Sequence, residues 1–233
     1  MSLCAAWLAA LTLPWLAQAQ GGPPAPAAAP HPHERWERGR DRYRNPPDLP
    51  AYIAAQEDPR RDRWQRPDQV VQALAIRAGQ TVCDVGAGPG YFTLRLARAV
   101  GSRGRVYAVD VEPRILEALR DRIEKSGVGN VTPVLALGGD PLLPDATCDL
   151  ILIVDTYHHF PDRPAYLRRL AQALKPGGRI ANIDFRKEAT PVGPPQEHRI
   201  SREEFLRESA TAALRVDQEL TFLEDQYFVI LRR

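Results

Sequence analysis

Thr81-Val82-Cys83-Asp84-Val85-Gly86-Ala87-Gly88-Pro89-Gly90-Tyr91 is the stretch that decides how this chain folds. Thr81–Val85 is a β-prone apolar run broken by one acid, and the glycines behind it cannot prolong a strand, so strand gives way to a tight turn. Phe92, Leu96, Ala99 and Val100 then recur at helical spacing. A turn of bare backbone therefore lies between a buried strand and the start of an amphipathic helix. Without Cβ atoms it can take positive φ, and a ligand can lie against its peptide planes. That geometry suits a nucleoside. A dinucleotide turn reads G-x-G-x-x-G and aims a helix N-terminus at a pyrophosphate, which a preceding acid would oppose. Here the spacing is G-x-G-x-G, with Asp84 two residues ahead of Gly86. A carboxylate there suits a cationic ligand group, and open backbone amides suit a carboxylate tail.

One unit further on, Arg105–Asp110 reads as a second strand ending in an acid. An acid some twenty residues past a glycine turn is placed to accept ribose hydroxyls, or alternatively to cap the next helix. Residues 149–154 form the most apolar strand, without alternation, so helices should cover both faces. It runs into Asp155-Thr156-Tyr157-His158-His159-Phe160, and ligands in open parallel sheets bind beyond the carboxyl ends of strands.

An acid followed by x-G-x-G-x-G resembles the first motif of the class I S-adenosylmethionine-dependent methyltransferases, matched here by Asp84, Gly86, Gly88 and Gly90, with Tyr91 directly after. Leu174-Lys175-Pro176-Gly177-Gly178 before a fifth strand is similar to a further signature of the family. The His158-His159 segment resembles that of the ubiquinone and menaquinone C-methyltransferases. The resemblance implies S-adenosylmethionine as cofactor, whose ammonium, carboxylate and sulfonium would meet this turn. It further implies that Asp110 holds the ribose, Val111 packs beside the adenine, Asp140 accepts from the adenine amino group, and Asp155 touches the methionine end. A helix before the sheet, in which Pro67 suits the first turn, would lie over the cofactor, with Trp64 either lidding the site or wedged in the core.

The remaining elements complete an α/β fold. Helices are expected around Ile115–Ile123 and Tyr166–Leu174, the first closed by Gly127 and Gly129, with strands over 131–136 and 179–185. A Pro-rich and charged loop over 186–199 is long enough to cover a site. Ser201 and Glu204 form a capping box, and 216–223 with 226–231 form a hairpin. Five strand–helix units and that hairpin give a Rossmann-like, seven-stranded, mostly parallel sheet with helices on both faces and a C-terminal antiparallel hairpin.

At 233 residues and 26% charged, the chain has the length of one sizeable domain, and its formal charge of +2 gives no case for nucleic acid. The domain is expected over 51–233. Residues 20–50, rich in Pro, Ala and Arg, cannot bury enough surface to offset ordering and read as a linker. Residues 1–19 are apolar and end in Ala17-Gln18-Ala19, a small-x-small pattern, so they read as a signal peptide, although no Lys or Arg precedes the apolar run. The chain is thus expected to be exported, the alternative being cytoplasmic, with no stable membrane span once the signal is removed. Cys83 and Cys148 read as inert buried thiols rather than a disulfide, and no metal spacing is present.

Methyl transfer from a sulfonium is an in-line displacement, so the protein must align a small-molecule acceptor and remove a proton where the nucleophile bears one. His158 and His159 are the candidate bases and Tyr157 a group to orient the acceptor; the other reading packs one histidine inward and leaves the second to cap a helix. Two other classes compete: a binding module without turnover, and a nucleotide enzyme such as a dehydrogenase, against which the glycine spacing and Asp84 argue.

Overall fold

The structure, a computed structural model, describes residues 48–233. The expected signal peptide and almost all of the expected linker lie outside the described residues. Three helices come first: α1 (Leu49–Gln56), α2 (Arg61–Gln65) and α3 (Pro67–Ala73). Residues 52–62 are polar and show no broad apolar stripe. Asp48 nevertheless caps α1 by accepting from the Ala51 amide at 3.0 Å, and Pro67 occupies the first turn of α3.

The sheet begins with β1 (Thr81–Val85), followed by α4 (Thr93–Val100), β2 (Arg105–Asp110), α5 (Pro113–Ser126) and β3 (Val131–Leu135). Next come β4 (Cys148–Val154), α6 (Arg163–Ala173), β5 (Leu174–Phe185), α7 (Arg202–Thr211), β6 (Arg215–Leu220) and β7 (Gln226–Arg232). Strand order is β3-β2-β1-β4-β5-β7-β6, with β1 to β5 parallel and β7 antiparallel to both neighbours. The expected seven-stranded Rossmann-like sheet is present. One of the five strand–helix units is not: β3 reaches β4 through a loop whose backbone pairing is the Leu137–Asp140 bridge.

Side chains on β4 go alternately to two cores. Leu150, Leu152 and Val154 pack with Leu74, Leu96 and Phe228, whereas Ile151 and Ile153 pack with Tyr157, Leu167 and Phe205. Both faces are apolar because both are covered, which removes the polar alternation of a half-exposed strand. From β1 the chain builds outward to β2 on one side, and β4 lies on the other. This reversal opens a crevice at the carboxyl ends of β1 and β4, where the Asp84 turn and Asp155 stand.

Cys83 and Cys148, both fully buried, form a disulfide with Cα atoms 6.1 Å apart. The expectation of two inert thiols is corrected here: neighbouring strands bring together residues 65 apart in sequence, a proximity that no local pattern signals. A cross-link closing a loop of that size restricts the unfolded chain by about 2–4 kcal/mol. Denaturant unfolding with and without reductant checks this. We expect the reduced protein and Cys148→Ser to lose about 2–4 kcal/mol, and coincident transitions would show that the bond contributes nothing.

Candidate active site

A cavity of about 230 Å³ occupies the crevice. Its floor is the glycine turn, fixed by Gly86 and Ala87 amides donating to Val109 O at 2.8 and 3.0 Å. The three glycines differ in purpose. At Gly86, φ +75°, an added Cβ would collide with the Thr156 side chain, and at Gly90, φ +95°, with Leu119 of α5. Gly88, φ +55°, faces open space, so its bare backbone is the part of the turn that a ligand can touch. Gly90 does not line the cavity; its expected ligand role is corrected to helix packing, since a glycine can be demanded by a close neighbour as well as by a ligand.

Three carboxylates surround this space, Asp84 and Asp110 buried and Asp155 partly so. Asp84, the penultimate residue of β1, accepts from the Thr93 hydroxyl at 2.6 Å, and burial followed by the charge of Asp110 pushes it up to about 6 against that hydrogen bond. Asp110 accepts from the amides of Gly88 (2.9 Å) and Glu112 (3.0 Å), which ties the turn to the end of β2, and burial likewise raises it. Asp155 stands past β4 in a left-handed backbone conformation, φ +52°, which is uncommon for non-glycine residues and taken more readily by aspartate than by most. Burial raises it to about 7, with Arg61 opposing and Asp184 adding to the rise.

Arg61 of α2 is the counter-charge, and no motif or periodicity marks it in the sequence. It is 8% exposed, donates to Asp155 Oδ2 at 3.3 Å and to Gln56 Oε1 at 2.7 Å, and lies 4.2 Å over the ring of Tyr91. Gln226 of β7 donates to the second Asp155 oxygen at 2.5 Å, and Gln65 donates to Gln226 at 2.7 Å. Tyr52 of α1 lines the cavity, its hydroxyl raised by burial and then by the charge of Asp110. Glu57 pairs with Arg122 at 3.1 Å, and Arg122 also holds Pro89 O at 2.7 Å, so α1 is fastened to α5 and to the glycine turn.

Val111 and Tyr91 line the cavity as expected, although the Tyr91 hydroxyl is bound to Asp62. Asp140 does not: it accepts from the Leu142 amide at 2.8 Å and pairs with Arg169 at 3.3 Å, so the expected adenine contact is corrected to a turn aspartate. Ala136 is the residue of that loop region on the cavity wall. Trp64 packs on Phe185, ring centroids 5.5 Å apart, and is not part of the lining. The loop over 186–199 is pinned by Arg199, which donates to the carbonyls of Glu188 and Pro194 and lies over Phe185, and it stays off the cavity.

Beyond β4 the three expected acceptor-side residues separate. His159 faces the cavity beside Phe160 and Tyr166, and burial followed by the charge of His158 pushes its imidazole down to about 4. His158 is turned away: its Nδ1 is 3.0 Å from both oxygens of Asp184, which is fully buried in β5. Burial lowers His158, but the hydrogen bond and charge of Asp184, with Asp155 adding, outweigh it and leave the imidazole raised. Tyr157 is fully buried, donating to Glu208 of α7 at 2.5 Å within a network closed by Arg163. Its expected role at the acceptor is therefore corrected to a structural one. Among the described residues no cluster suits a metal ion.

A family model described as a methyltransferase domain matches residues 82–178. The crystal structure of a SAM dependent methyltransferase from Aquifex aeolicus is 30% identical, with a TM-score of 0.75 covering 78% of this chain and 97% of that one. The ubiquinone/menaquinone biosynthesis C-methyltransferases UbiE of Marinomonas sp. and Vibrio vulnificus are 34% and 35% identical over 125 residues, or 53% of this chain. Those stretches are 49% and 47% of the respective proteins, so the match spans about half the length of these curated relatives. The chain belongs to the class I S-adenosylmethionine-dependent methyltransferase family.

The residues present fit that cofactor. Open backbone at Gly88 leaves room against the turn, Asp84, Asp110 and Asp155 complement cationic and hydroxyl groups, and Arg61 complements a carboxylate. As pH falls from 8 to 5, Asp155 and then Asp84 take up protons and the cavity loses negative charge. Affinity for the sulfonium cofactor should therefore fall further than affinity for S-adenosylhomocysteine, which lacks that charge, by on the order of tenfold. Calorimetry at both pH values checks this, and an unchanging ratio would count against the assignment of those carboxylates.

Proposed function

We propose that the protein transfers a methyl group from S-adenosylmethionine to a small-molecule acceptor bound at the His159 end of the cavity. The observation that carries this reading is the convergence of Asp84, Asp110 and Asp155 on one cavity whose floor is the exposed backbone of Gly88. When bound, the cofactor supplies an electrophilic methyl on a positively charged sulfur. Asp84, buried, and Asp155, partly buried, favour that charge in a site where the low exposure makes a carboxylate count for more than in water. Arg61 holds Asp155 and is within reach of a carboxylate tail.

Phe160 and Tyr166, stacked with centroids 3.9 Å apart, give the acceptor end an aromatic wall. The names of the curated relatives favour carbon as the acceptor atom. His159, kept neutral by its depressed pKa, accepts a hydrogen bond from the acceptor and orients it. His158 is a positioning residue: clamped by Asp184, it holds its ring 4.1 Å from that of His159.

We further propose that the protein is exported. The apolar start of the chain and the buried Cys83–Cys148 disulfide both suit an oxidising compartment. Comparing the intact chain with one lacking residues 1–19 in a fractionation experiment tests it, and recovery of both in the cytosol would refute export.

For the chemistry, calorimetry should show binding of S-adenosylmethionine and S-adenosylhomocysteine but not NAD, and tight NAD binding alone would sink the reading. In a metabolite screen for S-adenosylhomocysteine release, we expect His159→Ala and Asp184→Asn to lower turnover by about 10- to 100-fold at preserved cofactor affinity. Unchanged turnover in either variant would remove that residue from the mechanism.

A further inference from the structure

A second cavity, of about 260 Å³, lies at the other end of the sheet, where β1 and β4 begin. Arg77, Arg179 and Arg232 line it together with Asp149 and the backbone of Gly177 and Gly178. Its charges do not balance. Asp149 is already held by Lys175 Nζ and by the Thr81 amide, each at 2.7 Å, and Arg232 is paired with Asp217 at 2.8 Å. Arg179 donates to a backbone carbonyl, that of Leu74, and Arg77 has no ion-pair partner among the described residues. Four cations against two carboxylates leave about two positive charges around a concave surface. Burial, and then the charges of Arg232 and Arg77, hold Arg179 below its ordinary range, as expected where like charges crowd together.

The wall beside these guanidinium groups is open at Gly177, whose carbonyl accepts from Arg232 at 3.3 Å, and closed at Gly178, which lies against Cys148 O and Lys175 O. Gly177, at φ +77°, has nothing within 4 Å of where a Cβ would stand, so a ligand can approach the peptide itself. No aromatic side chain lines the cavity, and its apolar lining is confined to Ala75 and Pro176, which gives a nucleobase or an acyl chain little to pack on. Arginine forks match the oxygens of phosphate, and two excess positive charges match a dianion.

We propose that this cavity binds a compact phosphate dianion, either free phosphate or the head of a small phosphate monoester, through Arg77, Arg179 and Arg232. The site is independent of the methyltransferase reading, since it shares no lining residue with the cofactor cavity. Inorganic phosphate titrated into the 15N-labelled full chain, at ionic strength held constant with NaCl, tests it. Saturable shifts are expected at the Gly177 and Gly178 amides and at Arg179 Nε–H. Arg77→Gln, at an exposed position, should weaken binding at least tenfold with an otherwise unchanged amide spectrum, and Arg179→Lys should weaken it while keeping the charge. Glycerol phosphate in a parallel titration separates the two sources: tighter binding than inorganic phosphate assigns a monoester, equal binding assigns free phosphate. Shifts that do not saturate, that chloride reproduces, that appear at Gly88 instead, or that Arg77→Gln leaves unchanged would overturn the proposal.

Discussion

The structure depends on holding three carboxylates around one cavity, two of them buried and the third partly so, with the buried guanidinium of Arg61 beside them. Asp84, Asp110 and Asp155 are all raised by burial, and Asp84 and Asp155 titrate at about 6 and 7. A carboxylate whose folded pKa lies above its unfolded value opposes folding as pH rises through that interval, here from about 4 toward 6–7. For Asp84 and Asp155 this costs on the order of 3 kcal/mol each at neutral pH, an appreciable fraction of the stability of an ordinary domain. A cationic ligand relieves this directly. Burial, the main cause of the rise, deprives these carboxylates of water that a cationic group would replace as a partner.

The fold holds these groups in place with connections that converge on the strand ends. Asp110 accepts two amides, one of them from the glycine turn, so the second acid fixes the geometry of the first motif. Asp155 is held through both oxygens, by Arg61 from the N-terminal helices and by Gln226 from the last strand. The two ends of the described chain therefore meet at one carboxylate. β1 and β4, which lead to Asp84 and Asp155, are further joined by the Cys83–Cys148 disulfide beneath the cavity. Relative movement of the two acids is thus limited by a covalent bond as well as by the sheet.

The acceptor side is arranged on a different principle. His158 and His159 are adjacent in sequence and have rings 4.1 Å apart, yet their titration is driven in opposite directions. The buried Asp184 raises the first, and the charge that His158 then carries helps lower the second. Two like side chains acquire distinct roles because only one of them meets a carboxylate. Asp184 sits on β5, 26 residues away from His158, and reaches it because β5 lies beside β4.

The sequence alone determined the central βα architecture, because glycine punctuation, unbroken apolar strands and helical spacing are local consequences of backbone geometry and burial. It also placed Asp84, Gly86, Gly88, Asp110, Val111 and Asp155 at one site, since residues at carboxyl ends of parallel strands converge whatever the side-chain details. What only the tertiary structure decided are contacts between distant segments. Arg61 and Gln226 at Asp155, Asp184 behind His158, and the bond between Cys83 and Cys148 all link residues that no periodicity relates. Tyr157, Gly90 and Asp140 were misassigned for the complementary reason: position along the chain puts a residue near a site, whereas the direction of its side chain is set by what packs against it. Tyr157 turns inward to Glu208, Gly90 makes room for Leu119, and Asp140 is taken up by its own turn and Arg169.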